Sequence, residues 1–476
     1  MNHPASPSSA HAALALELLA GLWRDAGLSA DALPRATLTG AEPVLRSSFA
    51  IGSMLQASLG AAALAATEIG RLRGGPVQTV TLAALDVARE SAARYSLDGR
   101  RPEVWDKLSG LYRCGSDDAA PEHVRIHANF AHHRDGALAL LGLPTGPATE
   151  RAQVEAALRG WSAEAFETAA AERGLVVAAV RTPEQWAAHP QAAALAALPL
   201  VAIERIGDAP PRAWPPTDPG APPLHGLRVL ELTRILAGPV AGRTLAAHGA
   251  DVLLVNGPHL PNIENIAETS RGKRSALVDL RRADGRETLR TLASGADVFL
   301  QGYRPGGLSS RGFGPEALAE VRPGLVYVSL SAYGDRGPWA DRRGFDSLVQ
   351  SATGLNVAEA RALGSAEPRA LPLQALDYGA GYLLAFGALV ALQRQRAEGG
   401  SWHVRVALAG VGRWLQSLPR IADPTSAPAP DFTGAMEITE SGYGRLEAVR
   451  HAVRFSHTPA AWRHPSMPPG SHPAAW

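Results

Sequence analysis

GLRVLELTRILAGPVAGRTLAAHGADVLLV, Gly226 to Val255, decides how the second half of this chain folds. An apolar run, Gly226 to Leu232, leads through a Gly/Pro turn into a helix, and DVLLV follows at Asp251 to Val255. Two more runs stand at DVFLQ (Asp297 to Gln301) and LVYVSLS (Leu325 to Ser331). Strands buried on both faces lose the polar alternation of a half-exposed sheet. Apolar runs alternating with helical segments therefore predict an α/β fold, a Rossmann-like parallel sheet with helices on both faces. Such sheets carry their chemistry in loops at the carboxyl ends of the strands.

Working outward, residues 224–419 form this sheet domain. Before it, GDAPPRAWPPTDPGAPP (Gly207 to Pro223) is too rich in proline for regular structure and gives a linker over 208–223. Residues 105–207 are predicted as a smaller α+β domain. It has a strand in VRIHANF (Val124 to Phe130), a helix over Arg151 to Arg173, and a strand over Leu175 to Val180. Thr182 caps a further helix that starts at Pro183. Residues 1–104 hold helix and strand elements of a truncated first copy, and 420–476 a terminal return segment with one strand candidate, Arg445 to Phe455. The duplication rests on an internal echo. AIGSMLQASLGAAALAATEIGRLRGGPVQTVTL (Ala50 to Leu82) and DYGAGYLLAFGALVALQRQRAEGGSWHVRVAL (Asp377 to Leu408) each run small-residue helix, basic end, glycine pair, strand. Only the second carries an acid at its start.

That acid, Asp377, is the principal chemical candidate. A carboxylate before a helix can simply cap it. It can also attack a thioester and become a mixed anhydride, dividing one acyl transfer into two easier steps. Gly379, Ala380 and Gly381 beside it leave room for an acyl group and are expected to offer backbone N–H donors to an oxyanion.

Composition narrows the alternatives. Forty-six basic against 45 acidic residues give a net charge of +1, which points away from a nucleic-acid partner. One cysteine, Cys114, excludes an intrachain disulfide and a multi-cysteine metal site. His127, His132 and His133 lie close in sequence, without the further ligands of a metal motif. The Ala-rich runs near Ala12 to Leu19 and Ala61 to Ala66 are too short to span a bilayer, and no secretory leader is evident at Met1, so a cytoplasmic location is expected.

The stretch Leu224 to Leu408 resembles the class III CoA-transferases, the family of formyl-CoA and carnitine-CoA transferases and alpha-methylacyl-CoA racemases. The resemblance rests on Gly226 to Val255, SRGKRSALVDL (Ser270 to Leu280), YRPGGLSSRGFG (Tyr303 to Gly314), LVYVSLSAYGDRGP (Leu325 to Pro338), GFDSLVQSATG (Gly344 to Gly354) and DYGAG (Asp377 to Gly381), in family order. It implies that Asp377 forms an acyl-anhydride and then an enzyme–CoA thioester. It implies that Arg304 and Arg311 bind the nucleotide end of CoA with Tyr303 near the adenine, and that Lys273 and Arg274 stand close to the CoA phosphates. CoA would be a substrate, with no permanent cofactor and no metal. Ser109 to Arg212 resembles the family's small domain and the segment that returns from it to the large domain, here placed before the sheet domain. The chain thus resembles two truncated copies fused in one polypeptide. Family dimers interlock, so a homodimer, interlocked or not, and a fused pseudo-dimer are both open.

Three departures qualify the resemblance. Leu254 and Asn256 replace a Lys and a Glu of the second strand, and Gly302 an Asn, which would cost CoA contacts. Phe345 stands where the racemases carry a His. Since racemisation needs a base on each face of the α-carbon, this favours transfer of CoA from an acyl-CoA to a free carboxylic acid. The alternatives are a non-catalytic CoA-binding or scaffold protein and, further off, an acyl-CoA racemase. Asp346, next to Phe345, is expected to support its loop.

Overall fold

The computed structural model describes residues 7–117 and 121–476; residues 1–6, counted above in the first copy, lie outside them. A seven-stranded sheet dominates, in the order 273–277, 251–256, 228–232, 298–301, 326–331, 401–407, 202–207. Its first six strands are parallel and the last is antiparallel. Strand Arg228–Leu232 is the origin: the chain builds outward from it in one direction, then returns to place 298–301 on its other side. That reversal opens a crevice at the carboxyl ends of these two strands.

Residues 202–207 are predicted within the small domain. Instead they form the antiparallel edge of the large sheet, against strand 401–407. The tail makes the reciprocal move. Strands 36–39 and 80–83 pair in parallel around helix Ile51–Leu72, and tail residues 454–455 add an antiparallel third strand to 80–83. Each half of the chain therefore takes its outer strand from the other. A second exchange joins 95–97 to tail strands 436–441 and 444–449. Of those two, the sequence reading anticipates only the later one.

Helices Ile51–Leu72 and Ala375–Glu398 pack along each other in the core. Their small residues permit this: a Cβ on Gly379 would lie 3.2 Å from Met54 Cε, while one on Gly381 would lie 2.7 Å from the carbonyl of Ala237, the first residue of helix Ala237–Ala247, which also packs on helix 375–398. Helix 375–398 is long and apolar enough to cross a membrane, yet it is almost wholly buried by the rest of the chain. Its Leu and Phe side chains then contribute roughly 1.5–3 kcal/mol each through burial.

The small sheet, 110–114, 122–126 and 177–179, is antiparallel and leans on helix Asp346–Ala352, with the Arg181 N–H donating to the Ser351 carbonyl (3.1 Å). The helix predicted over Arg151 to Arg173 is two, Arg151–Leu158 and Ala163–Glu172, broken at Gly160 with Ser162 capping the second. Thr182 caps helix Pro183–Ala187 through a capping box, as predicted. The Pro-rich segment has no regular structure, but it does not hang free. Trp214 is buried, Arg73 donates to the carbonyls of Pro215 and His225, and Gln395 to that of Pro210. It clamps the ends of both long helices.

Arg243, fully buried, pairs with Glu90 (3.1 Å) and Glu268, and His451 of the tail reaches Glu90 at 3.0 Å. Burial alone would raise Glu90, but His451 and Arg243 bring it down to about 2. This network ties helix 84–90, the sheet domain and the tail together.

Candidate active site

Asp377 is the third residue of helix 375–398 and is 8% exposed. The first turn of a helix leaves backbone N–H groups without intrahelical partners. Two of these, on Leu376 and Asp377, donate to Asp346 Oδ2 at 2.7 and 2.9 Å. Asp346 is itself buried at the start of helix 346–352, and Gln350 donates to its other oxygen. Gln350 is held in turn by Leu371 N–H (3.0 Å) and Asn356 (3.2 Å). The loop-supporting role expected of Asp346 is thus a cap on the helix that carries Asp377.

Two carboxyl groups so placed cannot both ionise cheaply. Burial raises Asp346 to about 6, against the lowering effect of the donated N–H groups. Burial, and then the negative charge of Asp346, hold Asp377 well above the usual carboxylate range.

Asp377 stands between two cavities. The first, about 380 Å³, lies in the crevice at the strand reversal and is lined by Arg234, Tyr303, Arg304, Arg343, His132 and His133, among others. The second, about 220 Å³, is lined by Trp105, His127, Ile263, Ser347, Tyr378 and others. Ile235, Leu236, Phe345 and Asp377 border both. Ile235 has φ +76°, a left-handed conformation that a β-branched residue avoids. Strain of this kind persists where surrounding packing imposes it, and it gathers at functional sites.

The expected site residues divide. Tyr303 and Arg304 line the first cavity with Asp377. Arg311 is exposed on the 309–311 turn and is not among the residues lining that cavity. Lys273 is corrected: its side chain is fully buried, 2.8 Å from Glu231, and donates to the Pro239 carbonyl, so no phosphate can reach it. Gly242 makes room for this pair, since a Cβ there would sit 1.8 Å from Glu231 Oε2. Arg274 is corrected too. It is paired with Asp251 (3.0 Å) and bonded to the Ala475 carbonyl, at the start of its strand rather than the carboxyl end. The oxyanion role of Gly379, Ala380 and Gly381 fails because they lie inside the helix, where each N–H is used by the residue four before. They serve close helix packing. Leu254 and Asn256 are both interior, and Asn256 accepts from Asn262 at 2.7 Å.

Arg234, Ile235 and Arg343 also border the site, and none of them stands out in the sequence. The signal for the first two is their place directly after strand 228–232. A substrate contact by one of the three clustered histidines is set in the sequence against a structural or surface role; His132 and His133 line one cavity and His127 the other. His127 stacks on Phe345 (4.0 Å, 15°), and burial with the nearby His133 and Arg125 charges lowers it to about 3. Burial and neighbouring charges also lower His133, to about 4. Both rings are neutral near pH 7. Among the described residues no cluster of His, Cys, Asp and Glu suits a metal ion.

The profile of CoA-transferase family III matches residues 224–438. A probable fatty acyl-CoA transferase of Mycobacterium tuberculosis is 34% identical over 235 residues, covering 45% of this chain and 59% of that protein. The succinate–glutarate CoA-transferase of Agrobacterium fabrum is 33% identical over 213 residues, covering 40% of this chain and 52% of its own. A crystal structure of a CAIB/BAIF family protein from Brucella suis shares 28% identity and a TM-score of 0.37, covering 47% of this chain and 65% of that one. The chain spans about three-fifths or less of the curated relatives it matches.

Proposed function

Since the chain belongs to the class III CoA-transferase (CaiB/BaiF) superfamily, we propose that it moves CoA from an acyl-CoA to a free carboxylic acid through covalent intermediates on Asp377. The observation that carries this is the position of Asp377, a buried carboxyl bordering two separate cavities. In its ionised form Asp377 attacks the thioester carbonyl, the C–S bond breaks, and CoA leaves as thiolate with an aspartyl anhydride behind. The thiolate then attacks the aspartyl carbonyl, freeing the donor acid and leaving CoA as a thioester of Asp377. The acceptor carboxylate attacks that thioester to give a new anhydride and thiolate. Attack of the thiolate on the acceptor's acyl carbon releases the new acyl-CoA and restores Asp377.

Arg234, Arg304 and Arg343 suit the diphosphate of CoA, because guanidinium groups bind phosphate through paired N–H bonds. Tyr303 offers its ring beside them. The raised pKa of Asp377 makes its carboxylate a stronger nucleophile at the cost of a smaller ionised fraction.

The domain reading follows as part of the proposal. Residues 1–207 and 224–476 are two truncated copies of one fold joined by the 208–223 linker. Their exchanged edge strands let a single chain supply the interlock that the family resemblance implies for two.

The test is mass spectrometry of the intact protein and its peptides after incubation with acyl-CoA. A covalent adduct on Asp377, absent in Asp377→Ala, is expected. Reversible CoA binding with no adduct favours the scaffold alternative.

A further inference from the structure

The loop that leaves strand 326–331 borders the first cavity at both ends, with Ser331 and Ala332 at one and Arg342 and Arg343 at the other. Its middle is gripped by the small-domain half of the chain. Gln191, on helix Pro190–Ala196 and without solvent exposure, donates both amide hydrogens, to the carbonyls of Tyr333 and Arg336 at 2.8 Å each. Its oxygen accepts the Trp339 N–H at 2.7 Å. One side chain therefore satisfies three main-chain groups of a loop that has no strand ladder to pair them. Gly337 makes room for it: φ is +86°, and a Cβ there would sit 2.6 Å from Gln191 Oε1.

The grip passes on to the arginines. The Arg342 N–H donates to the Trp339 carbonyl (3.0 Å), and the Arg342 guanidinium lies over the Trp339 ring, 4.0 Å from its centroid. His189 stands 4.3 Å from the same ring. Glu167, buried on helix Ala163–Glu172, is 3.3 Å from Arg342. Arg343 follows directly and donates to the Gly174 carbonyl at 3.0 Å. Arg343 needs such an anchor. Burial, and then the positive charge of Arg304, hold its pKa below the ordinary value, so the loop keeps two cations on one cavity against their repulsion. A phosphate between them relieves that repulsion. Gln191 itself is not among the residues that line the cavity.

Resting on the place proposed above for the CoA diphosphate, we infer that Gln191 is a positioning residue for that group: it fixes the loop over 333–339 so that Arg343 stands beside Arg304 before CoA arrives. Binding then spends nothing on ordering the loop, and the guanidinium geometry is set for phosphate in advance. Affinity for the coenzyme, which binds on the sheet domain, is thereby governed by a side chain of the small-domain half.

The experiment is calorimetry of CoA binding to Gln191→Leu, to Arg343→Ala and to the double variant. Each single change is expected to weaken CoA by about tenfold, the value of one charge-assisted hydrogen bond. Because both act through Arg343, the double variant should bind no more than about twofold more weakly than Arg343→Ala alone. An equal cost of Gln191→Leu in both backgrounds would mean a general loosening of the fold and overturns the inference, as does a CoA affinity indifferent to either single change. Hydrogen exchange of the unsubstituted protein decides the matter even where a variant fails to fold. The Trp339 amide is expected to exchange slowly before CoA is added, and free exchange until CoA binds overturns the inference. The expected binding pattern with no adduct on Asp377 keeps this inference and removes the transferase reading, whereas an adduct with additive losses does the reverse.

Discussion

Asp346 Oδ2 accepts the backbone N–H of Asp377 at 2.9 Å, so one carboxylate holds the helix start that presents the other. The contact orients the nucleophile and charges its surroundings at once. Replacing Asp346 by Asn keeps an acceptor oxygen and removes the charge. The ionisation of Asp377 should then move to lower pH, and the acidic limb of the kcat profile with it, by roughly one pH unit or more. A profile that stays in place while kcat falls would show that Asp346 acts through geometry alone.

The same pair makes stability depend on pH. Both carboxyls are raised above their unfolded values, so the folded state holds protons that the unfolded chain releases. The stabilisation is complete below about pH 4. It is lost as pH rises through about 6, the folded value of Asp346. Asp377→Asn removes the like charge and should raise the melting temperature at pH 8 more than at pH 4, while abolishing turnover. Equal shifts at both pH values would sink the coupling argument.

Arg304 and Arg274 separate by position. Arg304 lines the cavity of Asp377, whereas Arg274 is bound to Asp251 and the Ala475 carbonyl. Arg304→Ala should raise the KM for acyl-CoA about tenfold or more, the value of one charge-assisted phosphate contact. Arg274→Ala should leave that KM within twofold or so and act on stability instead. Steady-state kinetics on both variants decides this, and equal effects on KM would reverse the assignment.

Lys273 illustrates why part of the site is illegible in sequence. Next to Arg274 it reads as half of a basic patch, because its partner Glu231 lies 42 residues earlier on a strand two places away in the sheet. The periodicity that reveals the strands does not reveal which polar side chains are paired between them. The four central strands and Asp377 are legible because each depends on a local run of residues. The second cavity is not, since Trp105 and His127 reach it from the small-domain half of the chain through tertiary packing alone. The glycines at 379 and 381 are ambiguous for a related reason. Sequence shows that a side chain is missing, and only the neighbouring helix shows what occupies the space.

The buried Lys273–Glu231 pair gives a stability prediction of its own. Removing one partner leaves an uncompensated charge at a site with no solvent access. Lys273→Met should therefore destabilise by about 3–5 kcal/mol. Lys273→Met with Glu231→Leu should recover most of that loss, because two apolar side chains of similar size carry no desolvation cost. Denaturant unfolding of the single and double variants measures it. A double variant no more stable than the single would mean that packing rather than charge dominates there.

The exchanged edge strands yield a last prediction. Strand 202–207 precedes the linker but completes the sheet that follows it, and 454–455 does the reverse for strand 80–83. Asp218, Pro219 and Gly220 are exposed between them, so a protease site placed there can be cut without touching either sheet. The two fragments are then held by backbone ladders, by the packing of helices 51–72 and 375–398, and by the Glu90–Arg243 pair. After cleavage they should co-elute in size exclusion at micromolar concentration and retain the ability to acylate Asp377. Joining loops adds only loop-closure entropy, which grows slowly with length, whereas the shared core supplies most of the cohesion. Fragments that part on simple dilution would mean that the linker, rather than the exchange of strands, keeps the halves together.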